Sequence, residues 1–519
     1  MKAKRAVSVT TSMSSSIGGL NARDALALMP PTDAVIMDNF FPTTTSVELR
    51  KGYSIWATGL PADVETLMTY TSATTTKGFA ASGTAFYDVT SSGAVGAAVV
   101  SSLANARWQC QNYGTTGGQF LYCFNGSDSA QIYDGSTWQQ VTTVSAPIAI
   151  TGVATASIIS VNEYKNRLFL IEKNSFKAWY LPVNSVGGAA SLLDLSPVFK
   201  MGGYLMAMAT WTIDNSAGVN EYAVFISSEG EVAQYVGSDP SVAGSFIILG
   251  KFRIGRPIGR RCFVKVGSDV ILITADGFFP LSKALLTDRT QSSDALSNKI
   301  SNLVSGDINS YGSNFGWEGC LHPIGNKLIF NVPQTEGATQ YQYVMNLITG
   351  AWCRFTGWNA NCFTTIQDTL YFGGNLGATA NSAYVAKADT GFSDNLGYIF
   401  GEVKMAFNYF GQPGALKRIT MVRPIFNVAG NMQAGMSMDM DFSDTYPTST
   451  PSFSGTSGTA WDTALWDTFP WGDTSNIKKD WQGINGIGYC GAVHMRIVNN
   501  KSAVQWQSID VVHEKGGTL

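Results

Sequence analysis

Seven short apolar or aromatic runs recur along this chain, each ending at a Gly, Asn or Asp turn with another strand-like run behind it. They are Gly78-Phe79-Ala80, Phe120-Leu121-Tyr122, Leu168-Phe169-Leu170, Ala223-Val224-Phe225, Val270-Ile271-Leu272-Ile273, Leu328-Ile329-Phe330 and Leu370-Tyr371-Phe372. Their separations of about 40 to 58 residues lie near the repeat length of propeller blades. Several are trailed by an aromatic strand: Ala85-Phe86-Tyr87-Asp88, Gln131-Ile132-Tyr133-Asp134-Gly135, Ala178-Trp179-Tyr180-Leu181 and Ser382-Ala383-Tyr384-Val385. An inner strand, a Gly turn and an aromatic outer strand make the pairing expected inside a four-stranded blade. Each blade buries its faces only against its neighbours, so no single run looks self-sufficient. The expected fold is mainly β, with a β-propeller-like body of about seven irregular blades. Stacked β-sandwiches are the alternative.

Composition agrees with short strands. Only 14% of the 519 residues are charged, 12% are aromatic and 54 are Gly, a balance that favours strands and tight turns over long amphipathic helices. The net charge of −3 argues against general nucleic-acid binding, which rests on a basic surplus. Seven cysteines at irregular spacings, with no C-x-x-C pair, read as free, mostly buried thiols in a reducing cytoplasm, with a Cys110–Cys123 bridge as the alternative. Lys2, Lys4 and Arg5 are followed by a Ser/Thr-dominated stretch rather than an apolar core, and no run of about 18 apolar residues occurs. The chain is therefore expected to be neither conventionally secreted nor membrane-spanning.

Three segments are expected. Residues 1–65 form an N-terminal arm or platform segment, in which Asn21 caps a turn with Asp24 at its third position and Thr32 or Asp33 caps a second turn ending near Asn39. Residues 66–400 form the propeller-like body, interrupted near 292–307 by a helix with Leu296, Ile300, Leu303 and Val304 at helical spacing and Ser292 or Ser293 as its cap. Residues 401–519 form a C-terminal β-sandwich-like domain, which the arm could complete. Its strands are expected at 405–410, 419–426, 494–498 and 505–512, with a Ser/Thr/Pro-rich surface loop from Ser443 to Gly458. Trp461-Asp462-Thr463 is echoed at Trp466-Asp467-Thr468.

Chemistry-bearing constellations are sparse. His322, His494 and His513 lie far from one another and from cysteines at metal-ligand spacing, so neither a zinc site nor a hydrolase site is supported. Asp439, Asp441 and Asp444 lack the central Gly and distal Glu of a calcium loop. Alternation with Met436, Met438 and Met440 instead suggests a half-buried strand with its carboxylates in solvent. Ile132 to Trp138 superficially resembles an Asp-box, but Asp134 and Gly135 are adjacent, and a turn between strands is the better account. The densest basic stretch holds Lys251, Arg253, Arg256, Arg260, Arg261 and Lys265 in a connection broken by Gly255, Pro257 and Gly259. Such arginines grip phosphate or pair with carboxylates. The expectation is no catalytic residue, no metal and no cofactor.

Two segments carry a family resemblance. One runs from Gly18-Gly19-Leu20-Asn21-Ala22-Arg23-Asp24 through Met37-Asp38-Asn39-Phe40-Phe41-Pro42 to Glu48-Leu49-Arg50-Lys51-Gly52-Tyr53. The other includes Asn166-Arg167-Leu168-Phe169-Leu170, Phe199-Lys200-Met201-Gly202-Gly203-Tyr204, Ser227-Ser228-Glu229-Gly230-Glu231 and Arg253-Ile254-Gly255-Arg256-Pro257. Together they resemble tail nozzle (hub) proteins of short-tailed bacteriophages, also called tail tubular protein B or packaged-DNA stabilisation protein. The resemblance is good over residues 18–56 and about 160–290 and looser elsewhere.

The resemblance implies a structural virion protein without enzyme activity. It implies a homohexamer below the phage tail adaptor ring that retains the packaged genome and opens for ejection, with tail fibres or a needle as further partners. Contact with double-stranded DNA in the channel would be non-specific, and the near-neutral, weakly acidic charge suits DNA that must slide without sticking. The implied location is the virion tail, with synthesis and assembly in the host bacterial cytoplasm. On this reading Arg253, Arg256, Arg260 and Arg261 are a candidate subunit-interface or channel cluster. Asn21, Asp24, Asp38, Phe40 and Phe41 are a candidate platform or adaptor-docking arm. The alternative is a propeller-based receptor- or glycan-binding tail module; a glycoside hydrolase on a propeller ranks third.

Overall fold

Each of the seven apolar runs lies in the second strand of its own three- or four-stranded antiparallel unit. The computed structural model describes residues 8–215, 218–284, 294–375, 383–428, 432–447, 452–453 and 476–516. Blade 1 is Val64–Thr71, Thr76–Ser82 and Ala85–Asp88; blade 2 is Gln109–Thr115, Gly118–Phe124, Ala130–Tyr133 and Trp138–Val141. Blade 3 is Ile158–Tyr164, Arg167–Glu172, Lys177–Tyr180 and Ser191–Asp194, and blade 4 is Leu205–Asn215, Gly218–Ser227, Glu231–Gly237 and Phe246–Arg253. Blade 5 is Phe263–Val266, Asp269–Thr274 and Gly277–Pro280, and blade 6 is Glu318–His322, Lys327–Thr335, Thr339–Asn346 and Trp352–Thr356. Blade 7 takes Ala360–Ile366, Thr369–Asn375 and Ala383–Ala388 and is completed by Tyr53–Leu60 from the N-terminal part of the chain.

The first strand of each blade packs on the next blade, and that of blade 7 returns to Val64–Thr71 of blade 1. The ring is closed. Second strands are covered on both faces by neighbouring blades and are apolar at their centres, as at Leu168–Ile171 of Arg167–Glu172 and Leu328–Phe330 of Lys327–Thr335. This corrects one expectation: the recurrent apolar run is not the inner strand. The innermost strands border the wet axis and stay partly polar, as in Gln109–Thr115.

A two-sheet body stands beside the ring. One sheet joins Lys417–Val428, Val504–Lys515, Ser8–Ser14, Gln482–Gly488, Val47–Leu49 and Phe40–Pro42. The other joins Asp33–Asp38, Ile399–Met405, Gly491–Asn499 and Met432–Met440, and continues into blade 6 where Asp38 meets Arg354. Phe40, Val422, Phe426, Met495, Ile497, Trp506 and Val511 are buried in the core that serves the sandwich and the adjoining blades. The N-terminal segment thus supplies strands to both sheets and to blade 7.

Three local expectations change. Asp33 opens the strand Asp33–Asp38 rather than capping a turn, because Asp33 is held by side-chain bonds and the strand has Ile399–Met405 to pair with. The strand expected over 405–410 ends at Met405, and Asn408 keeps only an isolated bridge to Gly491. The inserted helix lies between blades 5 and 6 as Leu296–Ile300 (3-10) followed by Ser301–Tyr311, four residues beyond the expected end. Its Ile300 and Val304 are buried, and Ile300 occupies the α-helix cap position without a side-chain bond. Ser292 and Ser293, Lys2, Lys4 and Arg5, and the repeated Trp461 and Trp466 units lie outside the described residues. Among the described residues no helix is long and apolar enough to cross a membrane.

Candidate functional site

The N-terminal residues that carry the resemblance form a seam between propeller and sandwich. Asn21 is buried; its Nδ2 donates to Asp24 and Asp33 at 2.8 Å each, and its Oδ1 accepts the Arg23 and Asp24 N–H groups. Asp38 takes a two-point bond from Arg354 at 2.8 and 2.5 Å. Asn39 sits at φ 59° and bridges the strands: its Nδ2 donates to Thr356 Oγ1 and Phe400 O, and its Oδ1 accepts from Arg50 Nε. Arg50, with 1% of its side chain exposed, clasps Asp394 at 2.8 and 2.6 Å, donates to Thr356 O at 2.7 Å and lies 5.3 Å from the Trp358 ring centroid.

Phe40 and Phe41 are core side chains. All five residues named for a docking arm are therefore engaged within the chain, with Asp24 keeping 26% of its side chain accessible. Beside the seam, Lys327 Nζ lies 2.7 Å from both Asp389 oxygens, and His322 Nε2 lies 3.2 Å from one of them. Burial pushes the Asp389 carboxyl up, but the His322 contact and the Lys327 ammonium outweigh it and hold the group well below the usual carboxylate range.

Among the described residues, two separate cavities lie along the propeller axis. One, of about 180 Å³, is lined where first strands begin and includes Thr66, Trp108, Arg260, Arg261 and Glu318. Arg261 donates to Glu318 at 3.2 Å, Thr66 Oγ1 at 2.6 Å, and the Glu65 and Trp108 carbonyls, tying blades 1, 2 and 6 to the connection before blade 5. Arg107 pairs with Glu65 and Glu336, and the Phe315 ring lies 4.3 Å from Arg107 and 5.2 Å from Arg261. Burial raises the Glu318 carboxyl against the opposing pull of Arg261. Arg260 donates to Asn125 O at 2.9 Å; burial, with Arg107 adding to it, lowers its guanidinium below the ordinary value, and Tyr204 opposes. The second cavity, of about 390 Å³, lies where first strands end and is polar, with Gln111, Asn162, Glu163, Glu221 and Lys265 on its wall.

The basic stretch is split by the fold. Arg260 and Arg261 turn to the axis, whereas Arg253 and Arg256 line a shallow rim cavity of about 500 Å³ with Glu229 and Asp276. Arg256 stays 69% exposed and reaches Glu229 at 3.3 Å.

The Asp439 region departs from expectation. Asp439 is fully buried, not solvent-facing, because Lys404 comes across the sheet to 2.8 Å from it and 2.9 Å from Asp444. His494 contacts Glu402 at 2.9 Å and Asp439 at 3.4 Å. Asp439, Asp444 and His494 bring donor atoms within 4.8 Å of one another, but the Lys404 ammonium already supplies the positive charge there, and a cation would have to displace it. All seven cysteines are free thiols, although Cys110 and Cys123 stand opposite each other in register. Asp134 accepts the Ser136 and Thr137 N–H groups in a turn between strands. Sequence reasoning missed Arg354, Asp394, Lys327, Asp389 and Lys404, whose charged partners are 35 to 344 residues away. No local pattern marks them.

No family model and no curated protein matches the chain. Among solved structures it is similar to BBS1N in complex with ARL6DN, at 10% identity and TM-score 0.37, covering 64% of this chain and 97% of that one. It is also similar to an exo-beta-1,3-galactanase from Phanerochaete chrysosporium, at 10% identity and TM-score 0.28, covering 89% and 99%. A glycoside hydrolase family 43 arabinoxylan arabinofuranohydrolase from Bacillus subtilis follows at 11% identity and TM-score 0.25, covering 88% and 95%. At these scores nothing about substrate or partner carries over. The fold rests on the strand pairing itself.

Proposed function

We propose that this chain is a structural tail-nozzle subunit of a short-tailed phage virion, built into a homohexameric ring below the adaptor. One observation carries the reading: the residues that resemble that family, Asn21, Asp38, Asn39 and Arg50, act as seam residues joining propeller to sandwich. They belong to architecture rather than to chemistry, as a nozzle requires. The axial cavities, about 180 and 390 Å³, are too small for a duplex whose major groove alone is about 12 Å wide. DNA would therefore pass between copies, not through one propeller. Retention would rest on steric closure, since each neutralised phosphate adds salt-dependent affinity and slows release. Assembly would take place in the host bacterial cytoplasm. Negative-stain images of the protein with the adaptor ring should show six copies around a through-channel; one copy, or a ring of another order, refutes the hexamer.

A second reading, receptor or glycan binding, is favoured by one surface feature. Tyr398, Phe400 and Tyr446 are each about half exposed, and Arg496 lies 5.6 and 4.7 Å from the Phe400 and Tyr446 ring centroids. Exposed rings beside a guanidinium suit stacking on a ligand face. Saturable sugar binding by the monomer, abolished by Phe400→Ala, would favour it over the nozzle.

A further inference from the structure

Blade 4 ends unlike the other six. Its outer strand Phe246–Arg253 is eight residues long and has one sheet neighbour, Glu231–Gly237, among the described residues. Blades 2 and 3 end in four-residue strands, and the outer strand of blade 1 is bridged by Val100. That of blade 5 is wholly buried, that of blade 6 meets Asp38, and that of blade 7 carries Gly93–Ala94. Proteins block long open edges with charge, proline or brevity. The end of this edge carries Lys251 and Arg253, and Leu249 is left unpaired where the register shifts, but its first half presents Ile247, Ile248 and Leu249 in succession at 49%, 39% and 56% exposure, with Val242 at 55% just before it. A run of exposed apolar residues on an unpaired edge is a liability unless another surface covers it.

Charge indicates the covering surface. Exposed Lys251, Arg253, Arg256 and Lys283 on blades 4 and 5 outnumber exposed Asp276, while half-buried Glu229, Glu231 and Asp269 are engaged within the chain by Arg256, by the Lys200 and Met201 N–H groups and by Ser282. In a closed ring of seven, blade 1 stands across from the boundary between blades 4 and 5. There blades 1 and 2 carry exposed or half-exposed Asp88, Asp128 and Asp134 against Lys77. Opposite charges on opposite flanks of one molecule complement each other between copies. A head-to-tail contact of that kind is heterologous, and it closes into a ring when the rotation permits.

We infer that the outer edge of blade 4 is a self-association strand that receives the blade 1–2 rim of a second copy of this chain. The inference deepens the ring reading and rests on it. Three variants of the full-length chain test it, by mass photometry and light scattering: Ile248→Lys with Leu249→Lys, Arg253→Glu with Arg256→Glu, and Asp88→Lys with Asp134→Lys. The altered side chains are exposed or half-exposed, and unchanged near-UV circular dichroism verifies the fold. The apolar pair should weaken assembly more than about tenfold, as loss of an interface centre does. Each charge variant alone should assemble poorly, and mixing the two should restore assembly, which no foreign partner would do. A closed ring unaffected by the edge variants overturns the inference and leaves the nozzle reading standing. Edge-dependent assembly that never closes supports the inference and removes the nozzle reading. A wild-type chain that stays monomeric at about 100 μM overturns the inference, since a contact with a dissociation constant of micromolar order would register there.

Discussion

The seam and the propeller axis both set arginines among carboxylates, yet they differ in water. At the seam Arg50 is 1% exposed and its partner Asp394 14%; at the axis Arg107 is 42% exposed and Arg260 donates to a backbone carbonyl. Charges removed from water are tolerable only when every donor and oxygen is matched, so losing one partner strands the other. Charges that keep their water give little and cost little. Burial, rather than the number of ion pairs, decides which of these arginines the fold depends on.

The strongest way to break that comparison is Arg50→Ala. It removes the two-point pair with Asp394 and the bonds to Asn39 and Thr356, and should cost about 3–5 kcal/mol in urea unfolding. The exposed Arg256→Ala should stay within about 0.5 kcal/mol of wild type. Equal losses at the two sites would sink the distinction.

Asp389→Asn should come next, at about 3 kcal/mol at neutral pH, because it leaves Lys327 buried without its counter-charge. The folded carboxyl is depressed, so its stabilisation is fully present above the unfolded value of about 3.9 and is lost as pH falls through and below it. The gap in melting temperature between wild type and variant should therefore narrow below about pH 4. A gap that stays constant down to pH 3 would place the stabilisation elsewhere.

Arg261→Met tests the boundary between the two regimes, since its side chain is 10% exposed but faces an axial cavity. The loss should be about 1–3 kcal/mol, smaller than at Arg50 because Glu318, already raised by burial, can take up a proton. A loss equal to that at Arg50 would make the axis another seam. The smallest effect concerns Asp439, Asp444 and His494. Chelation should leave the melting temperature unchanged, because Lys404 fills that site and no bound ligand would be withdrawn. A chelator-induced fall would show a cation there in place of the ammonium.

Particular residues mark how far the sequence could be read. The seven apolar runs were legible because the centre of a strand covered on both faces is apolar at successive positions rather than alternate ones. Their place in the blade was not, since one chain's periodicity does not say which strand borders the axis. The Met alternation near Asp439 does mark a strand, but the face that alternation assigns to solvent is the one Lys404 covers. The basic stretch reads as one cluster, and the turns at Gly255 and Gly259 send its halves to rim and axis.

By itself, then, the sequence determined the β class, an approximate count of repeating units and the turns between them. These follow from local rules of burial and backbone freedom that act within some ten residues. Only the tertiary structure decided that Tyr53–Leu60 closes the ring, that Arg50 finds Asp394 across 344 residues, and that Asp439 lies in the interior. Those pairings are chosen by which distant surfaces meet on closure, and the free energy that selects them belongs to both partners at once.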